Sequence, residues 1–417
     1  MLLGLRRHPP GLYSLCLVEL FERLASYATL PLFTLYLNER HGHAPASAIA
    51  LASGFVAASY LASLPGGLVA DRIGACAAMR LGALLLFGGF VGLAGGWPAL
   101  LWPSLFALLA GSGLFKPSIS ALVGKLYPAG DERREAGFAI FYVAVNLGAL
   151  GGPLLAEWSR ARWGWPAIFV CAASAMAAAL WASLFTVGPT QQAADENFIA
   201  SASHSDERPR IKALYLLCGA GVASCVVFQQ TGTSLAFFAE QDTRLRLGSS
   251  LVLRPGHFAA LHAAFVILFT PLLHRTFAWL RARRVELSIS RKIIGGFLFL
   301  GAAFLLVSAA DLTNTAQRKS PLWLANCYGL LSLGELLLSP MSLAFLSRIA
   351  PPRLAGRCHG LWYAAVAVGY GLAAAVGPLW THWPHHRYFA AIAVISFISA
   401  AWLLLCRSTL EASISRQ

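Results

Sequence analysis

Charged side chains are scarce in this sequence. Only 12% of its 417 residues are Asp, Glu, Lys or Arg, whereas 57% are hydrophobic. A soluble globular chain carries about 25% charged residues, because its surface must meet water. A chain with this little charge has more apolar surface than a water-exposed domain can hide. The composition therefore excludes an ordinary soluble domain and indicates a protein that lies in lipid.

Acidic residues are fewer than basic ones, 18 against 32, which leaves a formal net charge of +14. A positive excess of this size can indicate a protein that binds nucleic acid. Here the basic residues cluster between apolar runs, which is the pattern of the loops that flank membrane spans. We therefore predict contact with the lipid bilayer and no nucleic-acid partner.

Metal-binding patterns are also lacking. The eight cysteines include no CxxC pair and lie mostly inside apolar runs, which is typical of small core residues. The histidines form no ligand pattern, and we assign the following seven to solvated loops: His257, His262, His274, His359, His382, His385 and His386. The first apolar run is too long, and contains too many charges, for a cleavable signal peptide. We predict no metal, no cofactor and no enzymatic activity.

Long apolar runs dominate what the sequence does contain. About 20 residues of helix cross the hydrocarbon core of a bilayer. Twelve runs meet this length, and they predict an all-α membrane protein with about 12 transmembrane helices. Their expected limits are 11–37, 47–70, 76–96, 99–123, 136–158, 165–188, 211–239, 257–279, 288–309, 321–348, 356–378 and 387–407.

The longest polar stretch between these runs divides the chain into two halves. It predicts an N-terminal six-helix bundle at 1–188, a cytoplasmic linker at 189–212 and a C-terminal six-helix bundle at 213–417. Placing both termini in the cytoplasm puts most Lys and Arg residues in the cytoplasmic loops, as the positive-inside rule requires. We expect a monomeric, multi-pass protein of the bacterial inner membrane.

Five ionisable residues lie where lipid-facing helix is expected, namely Glu19, Glu22, Arg23, Lys116 and Glu335. Charges inside a span are costly, so each is a candidate functional residue. The spacing of Glu19, Glu22 and Arg23 places them on one helix face. The alternatives are a structural ion pair on the first helix, a Lys116 that reaches the membrane surface, and a Glu335 that serves packing alone.

The motifs around these residues resemble the proton-dependent oligopeptide transporter family of the major facilitator superfamily. Similarity extends over most of the chain, in the order that the family shows. The matching segments are Glu19-Leu-Phe-Glu22-Arg23, Gly66-Gly67-Leu-Val-Ala-Asp71-Arg72, Gly113-Leu-Phe-Lys116-Pro117-Ser118, Phe141-Tyr142-Val-Ala-Val-Asn146-Leu-Gly148, Gly334-Glu335 with Ser339-Pro340, and Gly360-Leu-Trp362.

The resemblance implies a fold, a function and a set of site residues. The expected fold is that of the superfamily, with two six-helix bundles. The expected function is proton-coupled symport of di- and tripeptides by alternating access. The implied proton-coupling residues are Glu19, Glu22, Arg23 and Lys116, and the implied substrate-binding residues are Tyr27, Tyr60, Lys116, Asn146, Gln229, Glu335 and Trp362. A zwitterionic peptide needs one cationic and one anionic partner, which Lys116 and Glu335 would supply.

Two positions depart from the family pattern. The family usually has an arginine where Leu30 stands and a glutamate where Gln229 stands, and the resemblance implies a gate salt bridge between these two charges. Because both are missing together, no buried charge is left alone. The departure keeps two alternatives open. One is a transporter of the same fold with altered or no proton coupling, which moves another peptide-like metabolite as a facilitator or exporter. The other is a non-transporting receptor or assembly protein on this scaffold.

Overall fold

Helices make up nearly all of the chain that the structure describes. The computed structural model describes residues 8–127, 133–186, 208–247, 251–285, 287–313, 318–349 and 355–412. Apolar runs of this length form helices in lipid because a helix satisfies its own backbone hydrogen bonds. The predicted linker at 189–212 lies outside the described residues, except for residues 208–212, which begin a helix.

The helices follow the predicted runs closely at both ends. In chain order they are α1 Pro10–Thr29, α2 Phe33–His41, α3 Pro45–Ile73, α4 Ala75–Ala94, α5 Leu101–Lys125, α6 Arg133–Trp163, α7 Trp165–Leu184, α8 Arg208–Phe228, α9 Ser234–Asp242, α10 Pro255–Ala282, α11 Ile289–Thr313, α12 Pro321–Ile349, α13 Ala355–Val376, α14 Leu379–His382, α15 His385–Leu405 and α16 Arg407–Ala412. Between α9 and α10 lie two short antiparallel strands, β1 Arg246–Leu247 and β2 Leu251–Val252.

Eleven helical segments in the described residues are long and apolar enough to cross a membrane. The first predicted span is not among them, because α1 carries three charged residues and is followed by a break. Pro31 lies in the 3₁₀ turn Leu30–Leu32, which separates α1 from α2. Proline lacks the backbone N–H that a continuous helix needs. The architecture is the predicted one, an all-α membrane protein whose spans agree with about twelve.

Backbone contacts divide the chain into two units. The first unit comprises Met1–Leu30 and Ala58–His204, and the second comprises Pro31–Ala57 and Ser205–Gln417. In the first, α1 packs on α6 and α7, while α4 packs on α5 and α7. In the second, α11 packs on α12 and α15, α8 packs on α13, and α10 packs on α12.

A buried ion-pair cluster joins four segments of the second unit. Lys319 Nζ lies 2.7 Å from Asp311 Oδ1 and 3.7 Å from Asp242 Oδ1. His385 Nδ1 lies 3.1 Å from Asp242 Oδ2, and His386 Nδ1 lies 3.4 Å from Asp311 Oδ2. Only 5% of Lys319 is exposed, so its charge is compensated by carboxylates rather than by water.

Glycines allow α3 and α5 to touch through their backbones. A Cβ atom on Gly113 would lie 2.5 Å from the carbonyl oxygen of Ala62, and one on Gly66 would overlap the backbone of Gly113. Small residues at such a crossing let membrane helices approach closely. This approach fixes the position of α5, the helix that carries Lys116.

We predict that Gly66→Ala lowers thermal stability in detergent, by roughly 1–3 kcal/mol, because the added methyl group meets the backbone of Gly113. The matched control is Gly67→Ala, since nothing lies within 4 Å of a Cβ atom built on Gly67. Thermal unfolding of the two purified variants measures the difference. Equal melting temperatures for both would show that α3 and α5 are not in backbone contact at Gly66.

Candidate functional site

The charged residues of α1 form one compact cluster. Arg23 Nε lies 2.9 Å from Glu19 Oε1 and 2.6 Å from Glu22 Oε2. Only 4% of Glu19 and 1% of Glu22 are exposed. The spacing of these residues brings both carboxylates to the same side of the helix, where a single guanidinium reaches them.

The two carboxylates differ in how fully their oxygens are occupied. Glu22 Oε1 accepts the Ser26 hydroxyl at 2.9 Å, and its Oε2 lies in an ion-pair contact with Arg23, although it accepts no aligned hydrogen bond from the described residues. Glu19 uses only Oε1, and its buried Oε2 has no hydrogen-bond partner among the residues that the structure describes. An unsatisfied buried carboxylate oxygen is costly, and a proton placed on it removes part of that cost.

Lys116 belongs to the same cluster. It is half-buried on α5, next to Pro117, and interacts electrostatically with Glu19, Glu22 and Arg23. Its Nζ lies 5.4 Å from the centre of the Tyr60 ring, in the geometry of a cation–π contact. Two carboxylates and two cations sum to zero formal charge, which is the condition under which such groups are tolerated inside a membrane.

The other two predicted residues of the first unit lie on α1 and α6. Tyr27, like Tyr60, interacts electrostatically with Arg23. The Asn146 side-chain amide donates to the carbonyl oxygen of Tyr142 on its own helix, at 2.8 Å. Two residues further along α6, a Cβ atom on Gly148 would lie 2.5 Å from Arg23 Cβ, so only glycine allows α6 to lie this close to Arg23.

A 3₁₀ turn breaks the seventh predicted span at Gln229–Gly232. The Gln230 side chain stabilises the turn, since its amide donates to the carbonyl oxygen of Val226 and its Oε1 accepts from Ser234 and Tyr388. The carbonyl oxygen of Gly232 accepts a 2.7 Å bond from Thr34. Gln229 is buried beside these residues. Breaks of this kind place polar backbone at membrane depth, where side chains must satisfy it.

Glu335 is paired with a histidine of a neighbouring helix. Its Oε2 lies 2.7 Å from Nε2 of His262 on α10. Nδ1 of the same ring lies 2.8 Å from the Ser332 hydroxyl, one turn before Glu335 on α12. The side chains of His262 and Glu335 are 21% and 31% exposed, so both keep some access to solvent. Ser332 is fully buried.

The assignment of seven histidines to solvated loops is also wrong. His257, His262 and His274 lie in α10, His359 lies in α13, His382 ends α14, and His385 and His386 begin α15. In a sequence, polar residues near helix ends are easily interpreted as loop residues, whereas several of these histidines bind neighbouring groups. His257 Nδ1 accepts the backbone N–H of Arg254, and His385 and His386 contact aspartates. The side chain of His359 is outside the described residues.

One group of side chains could offer metal ligands. Oxygen and nitrogen atoms of Asp242, Asp311 and His385 lie within 4.8 Å of one another. The ammonium of Lys319 already supplies a cation between the two carboxylates. The geometry is therefore explained by an ion-pair cluster, and no metal is needed to hold these acids together.

Trp362, the last predicted site residue, packs against α8. A Cβ atom on Gly221 would lie 2.8 Å from the Trp362 ring, so the indole rests directly on the α8 backbone. The residues that sequence reasoning missed are His262, Ser332 and Ser26. A signal for His262 existed, because it stands inside an apolar run just as Glu335 does.

Known proteins with similar sequences are transporters. A peptide transporter of Yersinia enterocolitica, YePEPT, is 28% identical, and the match covers 89% of this chain and 88% of that protein. A di-/tripeptide transporter of Lactococcus lactis is 26% identical over 96% of this chain and 95% of its own length. A crystal structure of a peptide transporter, POT, in complex with sulfate has a TM-score of 0.89 at 25% identity, covering 98% of this chain and 96% of that chain.

Two family models match the chain. The model of the Major Facilitator Superfamily matches residues 15–290, and the POT family model matches residues 186–395. Each match covers at least half of the 417 residues. Together with the helical architecture, they establish a multi-pass membrane protein. The chain belongs to the Major Facilitator Superfamily and, within it, to the POT family.

Proposed function

We propose that this protein imports di- and tripeptides together with protons by alternating access. The observation that carries the proposal is the balanced charge cluster of the first unit, in which one carboxylate oxygen of Glu19 lacks a hydrogen-bond partner among the described residues. Peptide transporters among its relatives support the substrate class. A membrane position, a positive-inside orientation with cytoplasmic termini, and a monomeric state complete the proposal.

The proposed substrate contacts are groups of opposite charge. Lys116 is the cation for the peptide carboxylate, with Asn146 as a polar partner, and Glu335 is the anion for the peptide ammonium. Tyr60 lies against the Lys116 ammonium, and Tyr27 and Tyr60 both interact electrostatically with Arg23. In the second unit, Gln229 and Trp362 are the further proposed contacts.

Proton uptake is assigned to Glu19 Oε2. A proton at this atom would relieve an unsatisfied buried oxygen and leave the cluster with one positive charge in excess. The excess charge then makes Lys116 a better partner for a peptide carboxylate. In this way proton binding and substrate binding favour each other, as symport requires.

Altered coupling is the second candidate function, and Gln229 favours it. An amide cannot take up or release a proton in the way that a glutamate can. A protein with an amide at this position therefore has one proton-binding side chain fewer than a family member with a glutamate there. A facilitator or exporter of another peptide-like metabolite would show transport that is indifferent to a proton gradient.

The function is tested by uptake of labelled dialanine into proteoliposomes. We expect an inward proton gradient to drive accumulation, and we expect Lys116→Ala to abolish it because the carboxylates of α1 lose their second cation. Lys125→Ala is the matched control, since Lys125 is an exposed lysine at the end of the same helix. Equal uptake with and without the gradient would favour the second candidate function, and accumulation by Lys116→Ala at the wild-type rate would remove Lys116 from coupling.

Glu19 and Glu22 should respond differently to removal of their charge. We expect Glu19→Gln to lose gradient-driven uptake while retaining counterflow exchange of peptide, because the amide fixes the neutral state. We expect Glu22→Gln chiefly to lower thermal stability, by about 1–3 kcal/mol, because the amide disturbs contacts at both of its oxygens. Uptake, counterflow and melting temperature of each variant distinguish the two roles. The reverse assignment of these losses would place the proton on Glu22.

We predict that Glu335→Gln weakens binding of peptides with a free amino terminus by about tenfold or more. A charge-assisted bond to the ammonium is replaced by a neutral one, a loss of roughly 1.4 kcal/mol or more. Amino-blocked peptides are the internal control, because they present no ammonium. Competition against a labelled peptide measures both affinities. Equal loss for both ligands would show that Glu335 does not bind the amino end.

A further inference from the structure

The pair between His262 and Glu335 can hold an additional proton without losing a hydrogen bond. When the ring is neutral, its Nε2–H donates to Glu335 and its Nδ1 accepts the Ser332 hydroxyl, across 2.7 and 2.8 Å. When the ring is protonated, Nδ1–H donates to the oxygen of Ser332. The hydroxyl then has to find another acceptor.

That other acceptor is already in place. The Ser332 hydroxyl lies 2.8 Å from the carbonyl oxygen of Tyr328 and 3.1 Å from that of His262. Rotation of one buried hydroxyl therefore satisfies both protonation states of the ring. A histidine that only serves packing needs one set of hydrogen-bond partners. His262 has a complete set of partners in both its neutral and its protonated state.

The surroundings of His262 contain one acid in direct contact. Helices α9 and α12 pack against α10, and each of the three carries described titratable or charged groups. They are Glu240 and Asp242 on α9, Cys327, Tyr328 and Glu335 on α12, and His257, His274, Arg275 and Arg281 on α10 itself. Of these, Glu335 makes the 2.7 Å contact, and the Tyr328 ring lies 6.0 Å from the imidazole. Asp242 is held by Lys319 and His385. Glu335 is thus the described acid that a charged His262 ring would face directly.

We propose that His262 is a proton-binding residue whose charge competes with the substrate's amino group for Glu335. The proposal rests on the proposed function, because it takes Glu335 as the anion for a peptide ammonium. A protonated ring forms an ion pair with the carboxylate and repels a second cation. A neutral ring donates one hydrogen bond and leaves the negative charge available.

The consequence is an affinity for free amines that depends on pH. Histidine exchanges its proton between about pH 5 and 8, so acidification through this range favours the ion pair. Free-amine peptides then bind less tightly, while amino-blocked peptides are unaffected. His262 acts as a positioning and selectivity residue for Glu335, and coupling to the gradient stays with Glu19 in the first unit.

Binding of a dipeptide and of its amino-acetylated form, measured on purified protein from pH 5.5 to 8.5 without a gradient, tests the coupling. In the wild type, the affinity ratio of free to acetylated peptide should fall by about tenfold on acidification, within the range of typical coupling energies. His262→Asn keeps a donor for Glu335 but cannot titrate, and its ratio should stay constant. His274→Gln, an exposed histidine on the same helix, should retain the wild-type pH dependence.

Ser332 gives a second measurement that a packing role would not change. Ser332→Ala removes the hydroxyl oxygen that accepts from the charged His262 ring. Losing this partner costs more free energy when Nδ1 is a charged donor than when it is a neutral acceptor. Protonation of the ring should therefore be less favourable in Ser332→Ala than in the wild type. Ser332→Thr should restore the wild-type titration. The measurement is NMR of the histidine rings of the ligand-free protein as a function of pH. The His262 signal is identified as the one that disappears in His262→Asn.

The outcomes separate the two proposals. The proposed competition is overturned if the affinity ratio of free to acetylated peptide does not depend on pH in the wild type. It is also overturned if His262→Asn keeps the wild-type pH dependence. The proposed function stands in both cases. An unshifted titration in Ser332→Ala overturns the hydroxyl switch. Failure to bind either dipeptide at any pH overturns the proposed function and the competition with it.

Discussion

The cost of placing charge inside a membrane governs the arrangement of the described sites. Among the residues that the structure describes, Arg23, Lys319 and Glu335 each meet a partner of opposite charge or a hydrogen-bonding group. In the first unit, Arg23 bridges two glutamates, and Lys116 brings the formal charge of the cluster to zero. In the second, Lys319 compensates two aspartates. Such pairing makes the groups tolerable, and it also means that a change of one proton alters the balance of a whole cluster.

The same requirement applies to the backbone wherever a helix is interrupted. At Gln229–Gly232 the helix gives way to a 3₁₀ turn, and the freed groups bind side chains. Thr34 donates to Gly232, Tyr328 donates to Thr231, and the Gln230 amide donates to Val226. These bonds satisfy backbone carbonyl groups at and next to the turn. A broken helix in lipid is stable only when neighbouring residues satisfy its backbone in this way.

Most of the fold could be predicted from the sequence because the bilayer sets helix length and apolar runs reveal it. The ends of α7 and α12 fall within a few residues of the expected limits. The grouping of Glu19, Glu22 and Arg23 followed from helical spacing alone. What could not be predicted depends on tertiary contact. No local pattern places His262 of α10 against Glu335 of α12, or Lys319 between Asp242 and Asp311. The 3₁₀ turn was missed because its flanks form one continuous apolar run.

The two acid sites differ in the kind of cation that compensates them, and this difference has a physical consequence. A guanidinium is always charged, so in the ion pairs that Arg23 makes with Glu19 and Glu22 only the carboxylates can change state. An imidazole can gain and lose its charge, so in the proposed competition at Glu335 it is the partner that changes state. In these proposals the first site takes up a proton on an acid and the second takes up a proton on a base. A chain that has an amide at Gln229 can in this way keep a titratable group in each of its two units.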